Sequence, residues 1–210
     1  MYDALFFDLD GTLIDTESLA LASGLTAFAE AGFPVSETFM HSLIGIDEPT
    51  AETRIRQHLP ESDLAAINDR WRSGFRALVD QGLSLKPGVR DLLDACPHLP
   101  RALVTSSGRA AAHHKLGLVG LDGDFAAVVT LDDVTRAKPA PDPYLLAAEM
   151  LGVAPGRCLV FEDSEPGSES AHRAGCTVVQ VPDMVPASGR WAHHVAPDLI
   201  AGARLAGLLS

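Results

Sequence analysis

Short apolar runs alternate with longer mixed stretches along most of the chain. The first run, residues 4–7, reads Ala-Leu-Phe-Phe, and similar runs occur at 102–105, 127–130, 158–163 and 177–181. Runs of this length without polar alternation are typical of strands buried on both faces of a parallel sheet. The stretches between the later runs have helical spacing. The pattern therefore predicts an α/β fold with a Rossmann-like, doubly wound parallel sheet.

One segment departs from this alternation. Residues 16–82 show helical patterning throughout, with Ser62 as the expected N-cap of the longest helix. A helical block that follows the first strand is best explained as an insertion into the α/β core. We therefore expect a core domain of residues 1–15 and 83–210 and an inserted helical cap domain of residues 16–82.

Polar residues follow the apolar runs at several places. Asp8 and Asp10 come directly after the first run, at the start of a tight turn that contains Gly11 and Thr12. Because the carboxyl ends of parallel strands meet at one edge of the sheet, where ligands bind, we expect the polar residues of different strands to meet there. The other residues of this kind are Thr105 and Ser106 after the second run, Lys138 after the third, and Glu162 and Asp163 at the end of the fourth.

These residue types suit chemistry on a phosphate group. The carboxylates of Asp8, Glu162 and Asp163 are hard oxygen ligands suited to Mg²⁺, which also accepts a phosphate oxygen of a substrate. The hydroxyl of Thr105 and the ammonium of Lys138 suit the phosphate itself. The cation would also reduce the repulsion between a carboxylate nucleophile and a phosphoryl dianion. We therefore expect a Mg²⁺ site at this edge.

The overall composition limits the partners. The 210 residues include 28 acidic and 16 basic ones, a formal charge of -12, and the basic residues form no stripe, so nucleic acid is not an expected partner. No stretch is apolar enough to span a bilayer, so we expect no membrane association. The three cysteines fit no metal or redox spacing and suggest a reducing, cytoplasmic setting. We expect a monomer that acts on a small phosphorylated metabolite.

The strand-end segments together resemble the haloacid dehalogenase superfamily, in the branch whose helical cap is inserted after the first strand. Two longer stretches, Phe-Glu-Asp-Ser-x-x-Gly and Lys-Pro-x-Pro-Asp, are similar to the group that contains β-phosphoglucomutases and sugar-phosphate phosphatases. The four matching motifs are Asp8-Leu-Asp10-Gly-Thr12, Thr105-Ser106, Lys138-Pro139 and Glu162-Asp163.

The resemblance implies a role for each motif. Asp8 would attack phosphorus to form an aspartyl-phosphate, and Asp10 would act as general acid and then as general base. Asp8, Asp163 and the backbone carbonyl of Asp10 would hold Mg²⁺, with Glu162 supporting them. Thr16 and the connector 82–88 would act as hinges of the cap. The implied phosphate-binding residues are Gly11, Thr12, Thr105, Ser106 and Lys138.

Departures from the family patterns separate the possible reactions. Dehalogenases lack the second aspartate, which is present here as Asp10. β-Phosphoglucomutases carry a histidine where this chain has Ala20, and a basic residue in a cap loop that is acidic here. We therefore expect a phosphatase of sugar phosphates or similar metabolites, with a phosphomutase and a non-enzymatic regulatory protein as alternatives. The cap residues expected to contact the substrate are Gly45, Asp47 and Glu48.

Overall fold

A computed structural model describes residues 1–43 and 48–210, apart from the side chains of Glu48 and Pro49. The chain divides into two compact units. The first consists of residues 1–15 and 84–210, and the second of residues 16–83.

The first unit contains a parallel sheet. Its strands are β1 (Ala4–Phe7), β2 (Arg101–Val104), β3 (Ala127–Val129), β4 (Cys158–Glu162), β5 (Thr177–Gln180) and β6 (His194–Val195). They lie in the order β3-β2-β1-β4-β5-β6, and all neighbouring pairs are parallel. Every residue of the central strands β1 and β4 is buried, which explains why their sequences are apolar except for Glu162 at the end of β4.

Helices connect these strands and also form the second unit. The second unit contains α1 (Glu17–Glu30), α2 (Glu37–His41), α3 (Glu48–His58) and α4 (Leu64–Gln81). The first unit contains α5 (Val89–Ala95), α6 (Arg109–Val119), α7 (Asp142–Leu151), α8 (Glu165–Arg173) and α9 (Leu199–Leu205). Among the described residues, none of these helices has the length and apolar character needed to cross a membrane.

Helices cover both faces of the sheet. On one face, Phe6 and Val160 share an apolar cluster with Tyr144 of α7 and Ala171 of α8. On the other face α9 packs so closely that a Cβ on Gly202 would lie 2.4 Å from Val179 Cγ1. The doubly wound α/β fold predicted from the alternation of apolar runs is thereby confirmed.

The register of the central strands brings their carboxyl ends to one level. Phe7 of β1 pairs with Leu103 of β2 on one side and with Phe161 of β4 on the other. The amide of Asp8 continues this ladder by donating to the carbonyl of Phe161 at 3.0 Å. The residues that follow these three strands are therefore neighbours at the carboxyl edge.

The second unit has an apolar core of its own. Phe28 of α1 and Ile67 of α4 are buried in this core together with Met40 and Ile55. Trp71 packs edge-on against the Phe28 ring, and its indole N–H donates to the carbonyl of Ala20 at 2.8 Å.

The start of α4 differs from the sequence prediction. Asp63, not Ser62, caps the helix, since its carboxylate accepts from the amide of Ala66 at 3.2 Å. The Ser62 hydroxyl instead donates back to the carbonyl of Leu59 at 2.8 Å, closing the turn after α3. Both residues are good N-cap types, and the sequence alone did not show which of them faces the free amides.

This cap gives a first testable prediction. Replacing Asp63 by Ala should lower the free energy of unfolding of the second unit by about 1 kcal/mol, because an amide of the first turn loses its partner. Asp63→Asn is the matched control and should keep nearly full stability, since asparagine caps equally well. Urea unfolding followed by Trp71 fluorescence in a Trp191→Phe background measures both. Equal losses in the two variants would contradict the capping role.

Candidate active site

Three acidic side chains meet at the carboxyl edge of the sheet. Asp8 follows β1, Glu162 ends β4, and Asp163 comes directly after it. Each offers a carboxylate oxygen, and these oxygens lie within 4.8 Å of one another. The two sequence motifs that are more than 150 residues apart therefore form one cluster.

Lys138 joins this cluster from the loop before α7. Its ammonium donates to Asp8 Oδ1 at 2.7 Å, to Glu162 Oε1 at 2.6 Å and to the carbonyl of Val104 at 2.9 Å. The side chain is only 5% exposed. Lys138 is thus in direct contact with two of the three acids that the sequence assigned to the same site, Asp8 and Glu162.

Glu162 is held from several sides. Besides Lys138, its Oε1 accepts from the Tyr144 hydroxyl at 2.8 Å, and its Oε2 accepts from the Ser164 hydroxyl at 3.0 Å. The side chain is fully buried. Because both oxygens already accept hydrogen bonds from the protein, Glu162 is well placed to orient Lys138 and to support the other two acids.

The cluster carries an excess of negative charge. Burial raises the pKa of Asp8 to about 8; the nearby Lys138 opposes this shift, and the charge of Glu162 adds to it. Burial also raises the pKa of Asp163 well above its ordinary value, helped by the charges of Asp8 and Glu162. Burial alone would lower the pKa of Lys138, but the same two acids outweigh it and the pKa is raised. One ammonium therefore does not neutralise the cluster, and hard oxygen ligands with uncompensated charge are suited to a divalent cation.

The turn after β1 packs directly against Asp163. Gly11 has a φ of +83°, and a Cβ at this position would lie only 2.5 Å from Asp163 Oδ2. The next residue, Thr12, is buried, and its hydroxyl donates to Asp163 Oδ1 at 3.4 Å. A glycine is needed here both for its backbone conformation and for the close approach of the carboxylate.

The start of α8 supports Glu162 in a similar way. A Cβ on Gly167 would lie 1.9 Å from Glu162 Oε1, so the carboxylate occupies the space of a missing side chain. Ser164 caps the helix by accepting from the amide of Gly167 at 3.2 Å. The helix begins at Glu165, and its polar first turn is stabilised by this cap and by Pro166.

Asp10 lies in a separate part of the same edge. Its Oδ2 accepts from the Ser107 hydroxyl at 2.7 Å, and its Oδ1 accepts from the Lys115 ammonium at 2.6 Å. Lys115 lies on α6 and is buried, and its ammonium is also 3.2 Å from the Ser107 hydroxyl.

The remaining predicted residues differ in their surroundings. Thr105 is buried at the end of β2, where its hydroxyl oxygen accepts from the amide of Ser107 at 3.0 Å, whereas Ser106 is exposed. Gly45 and Asp47 lie outside the described residues, as does the side chain of Glu48.

Three residues of the site were not identified from the sequence: Ser107, Lys115 and Tyr144. One signal was available for Lys115, because it lies next to Leu116 and three positions after Ala112, at the spacing of the buried face of α6. A single charged residue at such a spacing indicates a buried partner. The sequence around Tyr144 gives no comparable indication of a polar partner, because it has the pattern of an ordinary core position.

The fold and the site together define a class of protein. The sheet is doubly wound, and its first strand is followed by two aspartates that are each paired with a lysine. The first of them, Asp8, also lies beside the second pair of acids, Glu162 and Asp163. A family model described as "Haloacid dehalogenase-like hydrolase" matches residues 5–181. The chain belongs to this family of hydrolases, in the group that resembles the β-phosphoglucomutases.

Several relatives resemble this chain over most of its length. The fructose-1-phosphate phosphatase YqaB of Escherichia coli (strain K12) is 33% identical over 183 residues, which cover 86% of this chain and 96% of that protein. The phosphorylated carbohydrates phosphatase of Thermotoga maritima is 32% identical over 176 residues, or 82% of each chain. A crystal structure of a hydrolase of the same family from Deinococcus radiodurans R1, with bound phosphate and sodium, superimposes with a TM-score of 0.84 at 28% identity. It covers 100% of this chain and 98% of that one.

The contact between Gly11 and Asp163 gives a prediction with a closely matched control. We expect divalent cations to raise the melting temperature of the wild type, and Gly11→Ala should abolish this rise because the new methyl group would displace the Asp163 carboxylate. Gly32 has nearly the same φ, +84°, but a Cβ there has nothing within 4 Å. Gly32→Ala therefore carries the same backbone strain, on the order of 1 kcal/mol, and should keep the response to cations. Thermal unfolding with and without Mg²⁺ compares the two, and a preserved response in Gly11→Ala would show that Asp163 does not bind the cation.

Proposed function

We propose that this protein is a Mg²⁺-dependent phosphatase that hydrolyses a small phosphomonoester, a sugar phosphate or a similar metabolite, through an aspartyl-phosphate on Asp8. The observation that carries the proposal is the contact of the Asp8 carboxylate with Lys138, beside Glu162 and Asp163. The names of the relatives, which are phosphatases of fructose 1-phosphate and of phosphorylated carbohydrates, support the substrate class.

The residues present fit a magnesium ion. Asp8, Asp163 and the backbone carbonyl of Asp10 would hold it, with Glu162 behind them. The donor set consists of oxygen atoms, and the raised pKa of Asp8 and of Asp163 indicates that the cluster needs more positive charge. When bound, the ion would supply electrostatic stabilisation of the charge on the transferring phosphoryl group.

The first half of the reaction transfers the phosphoryl group to the enzyme. An oxygen of Asp8 attacks phosphorus, and the bond between phosphorus and the ester oxygen breaks. Asp10 gives its proton to the departing alkoxide, which leaves as an alcohol. Lys138 stabilises the negative phosphoryl oxygens, together with Thr105, Ser106 and the turn at Gly11 and Thr12.

The second half returns the enzyme to its starting state. A water molecule attacks phosphorus of the aspartyl-phosphate, the bond to the Asp8 oxygen breaks, and Asp8 leaves as a carboxylate. The proton of the water goes to Asp10, which is then ready for the next substrate. In sum, a phosphomonoester and water give an alcohol and inorganic phosphate.

The first test is phosphate release from a panel of phosphomonoesters, with and without Mg²⁺. Release by the wild type should require Mg²⁺, and Asp8→Asn should lower kcat on the order of 10⁴-fold or more because the nucleophile is lost. Asp3→Asn is the matched control: Asp3 directly precedes the same strand, at its other end, and pairs with Arg157. This variant should keep the wild-type rate.

The outcome of this panel separates the alternatives. Isomerisation of a hexose phosphate without phosphate release would replace the phosphatase by a phosphomutase. If the protein neither releases phosphate nor isomerises a hexose phosphate, a binding or regulatory role would replace the enzymatic one. Release that persists in Asp8→Asn would show that another group is the nucleophile.

The raised pKa of Asp8 also predicts how stability depends on pH. An acid whose pKa is raised on folding favours the folded state below its pKa, and this contribution is lost as the pH rises through about 8. Without metal, the melting temperature should therefore fall as the pH rises from about 4 to about 8, and Asp8 should contribute no further decrease above that pH. A cation must displace the proton from Asp8, so its affinity should rise by up to about tenfold per pH unit below pH 8 and level off above it. The rise in melting temperature with Mg²⁺ should therefore grow from pH 6 to pH 8 and change little from pH 8 to pH 9. Thermal unfolding measured across this pH range, with and without Mg²⁺, tests the direction of both changes. In Asp8→Asn the melting temperature should not show this dependence on pH.

A further inference from the structure

The chain contains three lysines and thirteen arginines, and all three lysines form ion pairs with aspartates. Lys138 contacts Asp8 at 2.7 Å, as described above. Lys86 lies 2.6 Å from Asp183, whose other carboxylate oxygen would lie 3.4 Å from a Cβ on Gly11. The third is Lys115, which lies 2.6 Å from Asp10. The residues of the first turn are thus flanked by lysine–aspartate pairs, and only the pair at Lys138 belongs to the motifs identified in the sequence.

Lys115 and Ser107 fix the Asp10 carboxylate by both of its oxygens. Lys115 donates to Oδ1 at 2.6 Å and Ser107 donates to Oδ2 at 2.7 Å. The two donors also contact each other at 3.2 Å, which closes a small network. A carboxylate held at one oxygen can rotate about its bond to the chain, whereas one held at both oxygens has a single orientation.

The two donors to Asp10 come from different elements of the first unit. Ser107 lies in the loop after β2, and Lys115 lies on α6, on the face that also buries Ala112 and Leu116. Asp10 itself lies outside the six strands of the sheet, in a turn that is closed by a bridge to Ile14 and by the Gly11 amide, which donates to the Ile14 carbonyl at 2.9 Å. The turn therefore fixes the backbone of Asp10, and the network with Ser107 and Lys115 fixes the orientation of its carboxylate.

Stability alone does not explain a lysine at this position. The lysine side chain is 8% exposed, and removing a charge from water is costly even when it is paired. Apolar side chains of similar volume often serve as well or better in such places. The neighbours of Lys115 on the buried face of α6 are apolar, so an apolar residue would continue that face.

We propose that Lys115, together with Ser107, is a positioning residue that orients Asp10 for the hydrolysis of the aspartyl-phosphate. This role rests on the proposed phosphatase reaction, in which water attacks phosphorus, the bond to the Asp8 oxygen breaks and Asp10 takes the proton. The water and the receiving oxygen of Asp10 must be aligned at that moment. Misplacement by about 1 Å costs on the order of 10²-fold in rate.

The choice of substrate allows this step to be measured by itself. A nitrophenyl phosphate has a leaving group that departs without a proton, so formation of the aspartyl-phosphate does not need Asp10. Hydrolysis of the aspartyl-phosphate still needs Asp10. In Lys115→Met, kcat for this substrate should fall about 10- to 100-fold, KM should fall with it, and kcat/KM should stay close to the wild-type value. The first turnover should then give a burst of nitrophenol, and acid quenching should trap the aspartyl-phosphate.

Two further variants make this result specific. Ser107→Ala removes one donor and keeps the lysine, so it should show the same pattern with a smaller decrease in kcat. If Lys115→Met does not fold, the kinetics of Ser107→Ala test the positioning of Asp10 instead. Arg157→Met is the matched control, because it also removes a cation that lies 2.6 Å from an aspartate, but at the amino ends of β1 and β4, the end of the sheet opposite the site. It should keep the wild-type kcat and show no burst.

The contact itself can be observed without any activity. Protein labelled with ¹⁵N only at lysine has three side-chain ammonium signals, and the signal absent from Lys115→Met identifies Lys115. Asp10→Asn should shift that signal more than the other two. An unshifted signal would show that the pair does not form in solution.

The outcomes distinguish the two levels of the proposal. Active wild type, inactive Asp8→Asn and an unchanged or increased kcat in Lys115→Met would overturn the role of Lys115 and leave the phosphatase in place. A decrease in kcat/KM with no burst would also overturn it, because the defect would then lie in formation of the intermediate. No hydrolysis by the wild type would remove the proposed reaction, and this role of Lys115 with it.

Discussion

The ammonium of Lys138 lies between Asp8 and Glu162, 2.7 Å and 2.6 Å from their oxygens, and all three side chains are buried. Buried charge is tolerated only when it is paired and fully hydrogen-bonded. This requirement explains the polar groups around it: the carbonyl of Val104 accepts from the ammonium, and the Tyr144 hydroxyl donates to Glu162. The ends of three strands and the start of α7 are therefore tied to one ion cluster.

The parallel sheet makes this cluster possible. Neighbouring strands end at one level, so residues far apart in sequence reach the same edge without a long loop. The same arrangement leaves the cluster short of positive charge, since one lysine faces three acids. This excess of negative charge makes the edge suited to a cation rather than to a neutral ligand.

Much of the fold could be predicted because its signals are local. The apolar runs of β1 and β4 indicate burial on both faces, and parallel strands then determine which residues share an edge. The contacts of Asp10 could not be predicted in this way. Whether Lys115 faces solvent or the sheet depends on how α6 is rotated against its neighbours, and spacing alone does not give that rotation. The cap of α4 shows the same limit on a smaller scale, because Ser62 and Asp63 are equally good capping types and only the path of the chain selects one.

The fit of Glu162 against Gly167 has a consequence for how such sequences can change. The carboxylate occupies the volume of a side chain that glycine lacks, so the two positions share one space. A larger residue at 167 is compatible only with a shorter one at 162, and a shorter acid at 162 would no longer reach both Lys138 and Tyr144. Single substitutions at either position are therefore unfavourable in the background of the other. Among related chains we therefore expect the residues at 162 and 167 to change together. This epistatic link between a strand and a helix does not appear as a contact between two side chains, because Gly167 has no side chain.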